Sequence, residues 1–171
     1  MAEMTSYHVK VAAEAFAAGM FAQAGYDVSV QYGADQPEYD LIVAKGDRFM
    51  KKVSVKGSQI GKWGIAQSFL QKANYTEAID RWRSKHGPLT VFCLVQFKDV
   101  ALGGCPRVYL ATPDEIAEQL RNSCRGRGAT IFYEDHTWGP RASAAGDREK
   151  LPDRWRFGVS RIAELMGGTA D

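Results

Sequence analysis

Four residues in the first third of the chain have the types and order that metal-assisted hydrolysis requires. Glu14 and Asp40 supply carboxylate oxygens, which are the ligands that Mg²⁺ and Mn²⁺ prefer. Such an ion polarises a phosphoryl oxygen and lowers the pKa of bound water, so a nucleophile forms at neutral pH. Lys56 can orient that water or offset charge on the phosphate. Ser54 stands two residues earlier, where a further acid would be expected.

The element that carries Glu14 is predicted to be a helix. Residues 7–24 are rich in alanine and repeat apolar side chains at helical spacing, with Glu14 as their one acid. Ser6 is the predicted N-cap, and Gly25 is the predicted residue that ends the helix. A strand-like stretch, "YDVSVQYG", follows.

Asp40 and Lys56 lie at the two ends of a predicted hairpin, whose turn is the "KGD" at residues 45–47. Alternation divides its second strand into one face with Phe49, Lys51, Val53 and Val55 and another with Met50, Lys52, Ser54 and Lys56. Asp40 shares a face of the first strand with Ile42. The hairpin thus presents Asp40, Ser54 and Lys56 together if the register permits, and sequence alone leaves that register open.

The remaining elements complete a mixed fold. "NYTEAIDRWRSKHG" is predicted to be a helix, with Asn74 or Thr76 near its start and Gly87 after its end. The apolar run "PLTVFCLVQF" suits a strand covered on both faces, and "PRVYLA" is a further strand. "TPDEIAEQL" begins with the pattern of a capped helix, and "ATIFYED" is predicted to be a strand. Residues 139–171 form a C-terminal extension with a short docking helix. The order α-β-β-β-α-β-β-α-β-α predicts an α/β fold, with a mixed β-sheet flanked by helices in a single domain over residues 1–171.

Charge is distributed unevenly along the chain although the net charge is only +2. Residues 1–40 contain one basic and six acidic residues, whereas residues 41–86 contain ten basic and three acidic ones. Most such runs are solvated surface. A basic block that begins at the candidate site also suits a phosphate backbone.

Several classes of protein do not fit the composition. Three scattered cysteines give neither a disulfide framework nor a metal-binding spacing, and Cys93 is expected in the core. No segment reaches the run of about 18 apolar residues that a membrane helix needs, and the N-terminus lacks the layout of a signal peptide. We therefore expect a cytoplasmic protein with no membrane partner.

The motifs together resemble the PD-(D/E)xK nuclease superfamily, which has the restriction-endonuclease-like fold, and in particular its resolvase-like and intron-endonuclease-like members. The resemblance rests on "AAEAFAAGMFAQAGYDVSV", "EYDLIVAKGD" and "RFMKKVSVKGSQ", and covers residues 8–60 well. It implies a divalent-metal-dependent endonuclease that hydrolyses phosphodiester bonds, with DNA as the expected substrate. Glu14 and Asp40 would hold Mg²⁺ or Mn²⁺, the Val55 carbonyl would add a ligand, and Lys56 would be the catalytic lysine.

Ser54 departs from the family pattern, which has Glu, Asp or Gln at that position. The alternative is therefore a catalytically degenerate nuclease fold that acts as a nucleic-acid-binding or protein-interaction module. A small α/β domain unrelated to nucleic acid is a third reading. The oligomeric state is open, with a homodimer as one option. In the nuclease reading, the residues expected to contact phosphates are Lys45, Arg48, Lys52, Lys62 and Lys72.

Overall fold

The computed structural model describes residues 3–31, 38–47 and 49–166. Within these ranges the four helices are α1 (Ser6–Gln23), α2 (Tyr75–Arg83), α3 (Pro113–Gly126) and α4 (Val159–Met166). The strands are β1 (Asp27–Val30), β2 (Leu41–Lys45), β3 (Phe49–Ser58), β4 (Lys62–Gly64), β5 (Thr90–Gln96), β6 (Arg107–Ala111), β7 (Ile131–Tyr133), β8 (Asp135–Thr137) and β9 (Arg148–Lys150). Short 3₁₀ turns occupy Gln67–Phe69 and Asp153–Trp155.

The chain divides into two compact units. Unit 1 comprises residues 1–60, 88–112 and 154–171, and unit 2 comprises residues 61–87 and 113–153. The assignment of the whole chain to a single domain stays a prediction. The α/β class is confirmed, since a mixed five-stranded sheet occurs together with four helices in the described part of the chain.

The five-stranded sheet belongs to unit 1 and has the order β1-β2-β3-β5-β6. β2 is antiparallel to both β1 and β3, β5 lies parallel to β3, and β6 is antiparallel to β5. The predicted "KGD" turn joins β2 to β3, and Gly46 adopts a left-handed φ of 59° there. The fully buried β5 is the strand that its continuous apolar run predicted.

α1 begins one residue earlier than predicted. The side chain of Thr5, rather than that of Ser6, accepts a hydrogen bond of 3.3 Å from the His8 N–H and caps the helix. The predicted end is confirmed, since Gly25 follows the C-cap with a φ of 84°. Of the helices in the described ranges, none has the length and apolar character to cross a membrane.

The core of unit 1 is made by apolar side chains on one face of the sheet, packed with residues of α1 and α4. The sheet contributes Leu41, Val43, Val53, Val55, Val91, Cys93, Val95, Val108 and Leu110, and the helices contribute Ala13, Ala17, Phe21, Ile162 and Met166. Arg161 helps to fix α4, because its buried guanidinium donates hydrogen bonds of 3.1 Å and 3.0 Å to the Leu110 carbonyl.

A close approach of α1 to β3 depends on Gly57. A Cβ atom at Gly57 would lie 2.8 Å from Val9 Cγ1 and 2.9 Å from both Ala13 Cβ and the Val9 carbonyl oxygen. These separations are shorter than van der Waals contact, so only glycine lets the helix backbone lie against the strand here. The missing side chain of Gly57 therefore determines how near α1, and with it Glu14, comes to the sheet.

Unit 2 contains α2, α3 and two short antiparallel pairs, β4 with β7 and β8 with β9. Of the two residues predicted near the start of α2, Asn74 is the N-cap, because its side chain accepts a 2.9 Å hydrogen bond from the Glu77 N–H. Ion pairs join Arg83 to Asp114 and Arg121 to Asp80, both at 2.6 Å.

We expect opposite effects from the same substitution at two glycines of unit 1. Gly57→Ala should lower the free energy of unfolding by about 1–3 kcal/mol, because the added methyl group overlaps the Val9 backbone. Gly19→Ala is the control, since Gly19 lies inside α1 with no atom within 4 Å of an added Cβ. It should raise the free energy of unfolding by up to about 1 kcal/mol, because alanine is the better helix former. Urea unfolding followed by circular dichroism measures both, and equal effects would contradict the close approach.

Candidate functional site

Glu14 and Asp40 come together in unit 1. Glu14 lies on α1 beside the fully buried Ala13 and Ala17, and its side chain retains only 19% exposure. Asp40 stands immediately before β2 and is half-buried. The two carboxyl groups are close enough that Asp40 acts on the titration of Glu14. The pair that the sequence singled out is therefore brought together by the fold.

Two hydrogen bonds fix Asp40 to β3. Its Oδ2 accepts a hydrogen bond of 2.7 Å from the Val55 N–H, and its own N–H donates one of 2.9 Å to the Val53 carbonyl. Asp40 lies outside the ladder between β2 and β3, which ends where Leu41 faces Val53. These bonds, rather than strand alternation, set the position of its carboxylate.

The carbonyl of Val55 faces the same edge as the Asp40 carboxylate. The N–H and C=O groups of one strand residue point to the same side, and neighbouring residues point to opposite sides. The Lys52 N–H donates to Leu89 on the β5 side, so the backbone groups of Val53 and Val55 point towards β2. At Val55 the partner strand has already ended, and Asp40 takes the N–H in its place. The predicted contribution of this carbonyl to a metal site is compatible with that geometry.

One oxygen of Glu14 is buried without the partner that a carboxylate requires. In the described part of the chain, Glu14 Oε1 has no hydrogen-bond donor, and the Lys10 ammonium lies 3.7 Å away. Burial raises the pKa of Glu14 above its ordinary value, the negative charge of Asp40 raises that pKa further, and Lys10 opposes both effects. Two crowded carboxylates with an unsatisfied oxygen form an environment that a bound cation would relieve.

Ser54 and Lys56 lie on the other face of β3 from the core valines. Ser54 is only 2% exposed, whereas Lys56 is exposed. The observed register pairs Ile42 with Lys52, so Ile42, Ser54 and Lys56 share a face as alternation predicted. Asp40 precedes the ladder, so its membership of that common face stays a prediction.

The lysines expected to contact phosphates differ in their surroundings. In unit 1, the Lys45 ammonium lies 5.3 Å from the centre of the Tyr26 ring and the Lys52 ammonium 5.0 Å from that of Tyr39, with both lysines exposed. In unit 2, Lys62 and Lys72 are exposed as well. Arg48, the fifth predicted contact, lies outside the described residues.

The donor set at Glu14 and Asp40 is small. Within residues 3–31, 38–47 and 49–166, no three His, Cys, Asp or Glu side chains form a group that could hold a metal ion. An ion bound by the two carboxylates would therefore complete its shell with backbone carbonyls and water, an arrangement that Mg²⁺ accepts. Lys10 also lies beside Glu14. The sequence analysis did not name it, although its position one helical turn before Glu14 was a usable signal.

Comparisons with known proteins identify no relative. No protein-family model matches the chain, and neither a curated protein nor a solved structure matches it. Membership of the PD-(D/E)xK superfamily therefore remains a proposal based on the motifs.

Removal of the Glu14 charge should stabilise the metal-free protein. The pKa of Glu14 is higher in the folded protein than its ordinary value of 4.5. The wild-type protein therefore loses stability as the pH rises from 4.5 through the folded-state pKa, because the unfolded state releases this proton first. In EDTA at pH 7.5, Glu14→Gln should increase the free energy of unfolding by up to about 1 kcal/mol. Below pH 4.5 the gain should vanish because Glu14 is then uncharged in both the folded and unfolded states. Urea titrations at the two pH values measure the difference.

The matched control for this prediction is Glu118→Gln, which changes an exposed acid on α3. It should leave the free energy of unfolding within about 0.5 kcal/mol of wild type at both pH values. A loss of stability in Glu14→Gln at pH 7.5 would contradict the prediction and assign Glu14 to a net favourable ion pair with Lys10.

Proposed function

We propose that the protein is a divalent-metal-dependent nuclease that hydrolyses phosphodiester bonds, with DNA as its substrate. The observation that supports this most strongly is the pairing of Glu14 with Asp40 beside the backbone of Val55. The order of parts agrees with the motif resemblance. A helix carries a glutamate, a strand follows, an aspartate precedes a hairpin, and a lysine stands in the closing strand.

In this proposal, Glu14, Asp40 and the Val55 carbonyl hold Mg²⁺ or Mn²⁺. The ion, when bound, lowers the pKa of a bound water and neutralises charge on the scissile phosphate. Asp40 is held by β3, so its carboxylate is already in place before the ion arrives, which limits the entropy lost on binding. The buried Oε1 of Glu14, which accepts no hydrogen bond from the described residues, gains the ion as a partner.

Lys56 is proposed to orient the attacking water and to offset charge on the phosphate in the transition state. It follows directly after Val55, and its exposed side chain is accessible to a substrate. Lys45 and Lys52 of unit 1, and Lys62 and Lys72 of unit 2, are proposed to contact phosphates. Such contacts carry no sequence information and weaken steeply with salt.

The primary test is cleavage of plasmid, linear duplex, single-stranded DNA and RNA with Mg²⁺ or Mn²⁺. Asp40→Asn retains an oxygen that can accept from the Val55 N–H, but it loses the charge that binds metal. We expect it to fold and to lose both Mg²⁺ binding by calorimetry and cleavage. Lys56→Ala should retain Mg²⁺ binding and lower kcat by about 10²-fold or more.

Lys98→Ala is the matched control for Lys56→Ala, because Lys98 is an exposed lysine of unit 1 that lies outside the proposed site. It should cleave like wild type. Wild-type protein that neither cleaves any of these substrates nor binds Mg²⁺ would exclude the nuclease proposal.

A second candidate function follows from Ser54. The buried serine and the lack of a third acid among the described residues favour a nuclease fold that has lost its chemistry and retains nucleic-acid or protein binding. This candidate predicts salt-dependent DNA binding without cleavage, in which the lysines of the basic block contribute and Mg²⁺ does not.

Ser54→Asp separates the two candidates. In EDTA the variant should be less stable than wild type, because a carboxylate then occupies a position that is 2% exposed. If position 54 adjoins the ion, Mg²⁺ should raise the melting temperature of the variant by several degrees more than that of wild type. Newly gained cleavage would identify a decayed enzyme. An equal response of both proteins to Mg²⁺ would place residue 54 away from the ion.

A further inference from the structure

Unit 2 contains a cavity of about 320 Å³ that has no role in the proposed metal site. That volume is at the lower end of the range for small-molecule sites. All the residues that line it belong to unit 2. Three of them, Tyr75, Tyr133 and Trp138, are aromatic.

The cavity carries a positive charge and hydroxyl groups. Arg127 is the one charged side chain in its lining as described, and its Nη1 donates a 3.1 Å hydrogen bond to Ser143 Oγ. Thr130 and the two tyrosines add further hydroxyl groups. No carboxylate occurs among the described lining residues, so the charge balance favours an anionic ligand.

Rings next to the cavity are held in a stacked group. Tyr133 and His136 are stacked, with ring centroids 4.0 Å apart and planes 18° from parallel. Trp138 meets both rings edge to face, at centroid distances of 5.9 Å and 4.9 Å. Its indole Nε1 is buried and has no acceptor among the described residues. The group forms an aromatic wall, in which the Trp138 ring is nearly perpendicular to the two stacked rings, with a hydrogen-bond donor still to be satisfied.

The backbone at the cavity is strained. α3 loses right-handed geometry at Ser123, after which Cys124 and Arg125 adopt left-handed φ angles of 54° and 57°. Each left-handed residue other than glycine costs about 1–2 kcal/mol. Carboxylates hold the segment in place. Glu149 accepts hydrogen bonds from Ser123 Oγ at 2.7 Å and from the Cys124 N–H at 2.6 Å.

The strain has a direct effect on the lining. Arg125 pairs with Asp147 through two hydrogen bonds of 2.6 Å and 2.8 Å, and Cys124 and Arg127 line the cavity on either side of this anchor. Gly128, with a φ of 88°, then passes so close to Tyr75 that an added Cβ would lie 3.2 Å from the tyrosine Cβ. A costly backbone path that places an arginine and a tyrosine at one cavity is typical of a ligand site.

We propose that this cavity binds a nucleotide, with the base against the aromatic wall and the phosphate on Arg127. Bases stack on aromatic side chains, and their ring nitrogens and carbonyl oxygens can accept from the buried indole N–H. A guanidinium pairs with phosphate oxygens. An uncharged aromatic ligand would leave Arg127 unused, and inorganic phosphate would leave the aromatic wall unused. The proposal requires no metal and does not depend on the nuclease proposal.

The test is calorimetric titration with the four nucleoside 5′-monophosphates in EDTA, beside the matching nucleosides and inorganic phosphate. We expect at least one nucleotide to bind, its nucleoside to bind at least tenfold more weakly, and phosphate alone to give no signal at the same concentration. Arg127→Ala should reduce nucleotide affinity to that of the nucleoside. Arg121→Ala, which removes an exposed arginine of α3 that does not line the cavity, should bind like wild type.

Tyr133→Leu tests the aromatic wall and should weaken nucleotide and nucleoside by the same factor of about tenfold. Circular dichroism spectra and melting temperatures confirm that each variant is folded. The proposal is overturned if no nucleotide binds to folded wild-type protein at millimolar concentration. It is also overturned if folded Arg127→Ala binds as wild type does, or if phosphate competes as well as the nucleotide.

Discussion

The candidate site depends on the hydrogen bond from the Val55 N–H to the Asp40 carboxylate. β3 continues to Ser58, whereas its ladder with β2 ends opposite Val53, so among the described residues the backbone beyond that point has no strand partner on this side. A side-chain oxygen takes the place of the missing carbonyl. This hydrogen bond satisfies the Val55 N–H at the end of the ladder and also fixes the Asp40 carboxylate there. The position of the acid is therefore set by the need of a backbone donor for an acceptor.

Helix packing supplies the second acid. Gly57 lets α1 approach β3 at Val9 and Ala13, and the residue that follows Ala13 is Glu14. The result is a pair of carboxylates, Glu14 and Asp40, in which burial and the charge of Asp40 raise the pKa of Glu14. Burial of an acid beside another acid opposes folding in the absence of a cation. A local conflict of this kind is typical of a functional site.

Local features of the fold were predictable from sequence because they depend on neighbours in the chain. The "KGD" turn, the alternation of β3 and the Asn74 cap are of this type, and the N-cap of α1 was missed by one residue because Thr5 and Ser6 have equivalent side chains. The parallel pairing of β3 with β5 was not predictable, since it joins segments far apart in sequence. The three-residue strands β4, β8 and β9 were too short to show a period. The residues that line the unit 2 cavity come from separate segments of the chain. The left-handed turn beside them was not predictable either, because Cys124 and Arg125 adopt positive φ angles although neither is a glycine.

The parallel arrangement of β3 and β5 has a consequence for how the protein folds. β3 ends at Ser58 and β5 begins at Thr90, so a loop of about 30 residues must close before the centre of the sheet can form. The β2–β3 hairpin needs no such closure. Non-local parallel pairing slows folding, because the entropy of loop closure is lost before the contacts are gained. On the ribosome, the hairpin with its acid and lysine emerges well before the strand that completes the sheet beside it.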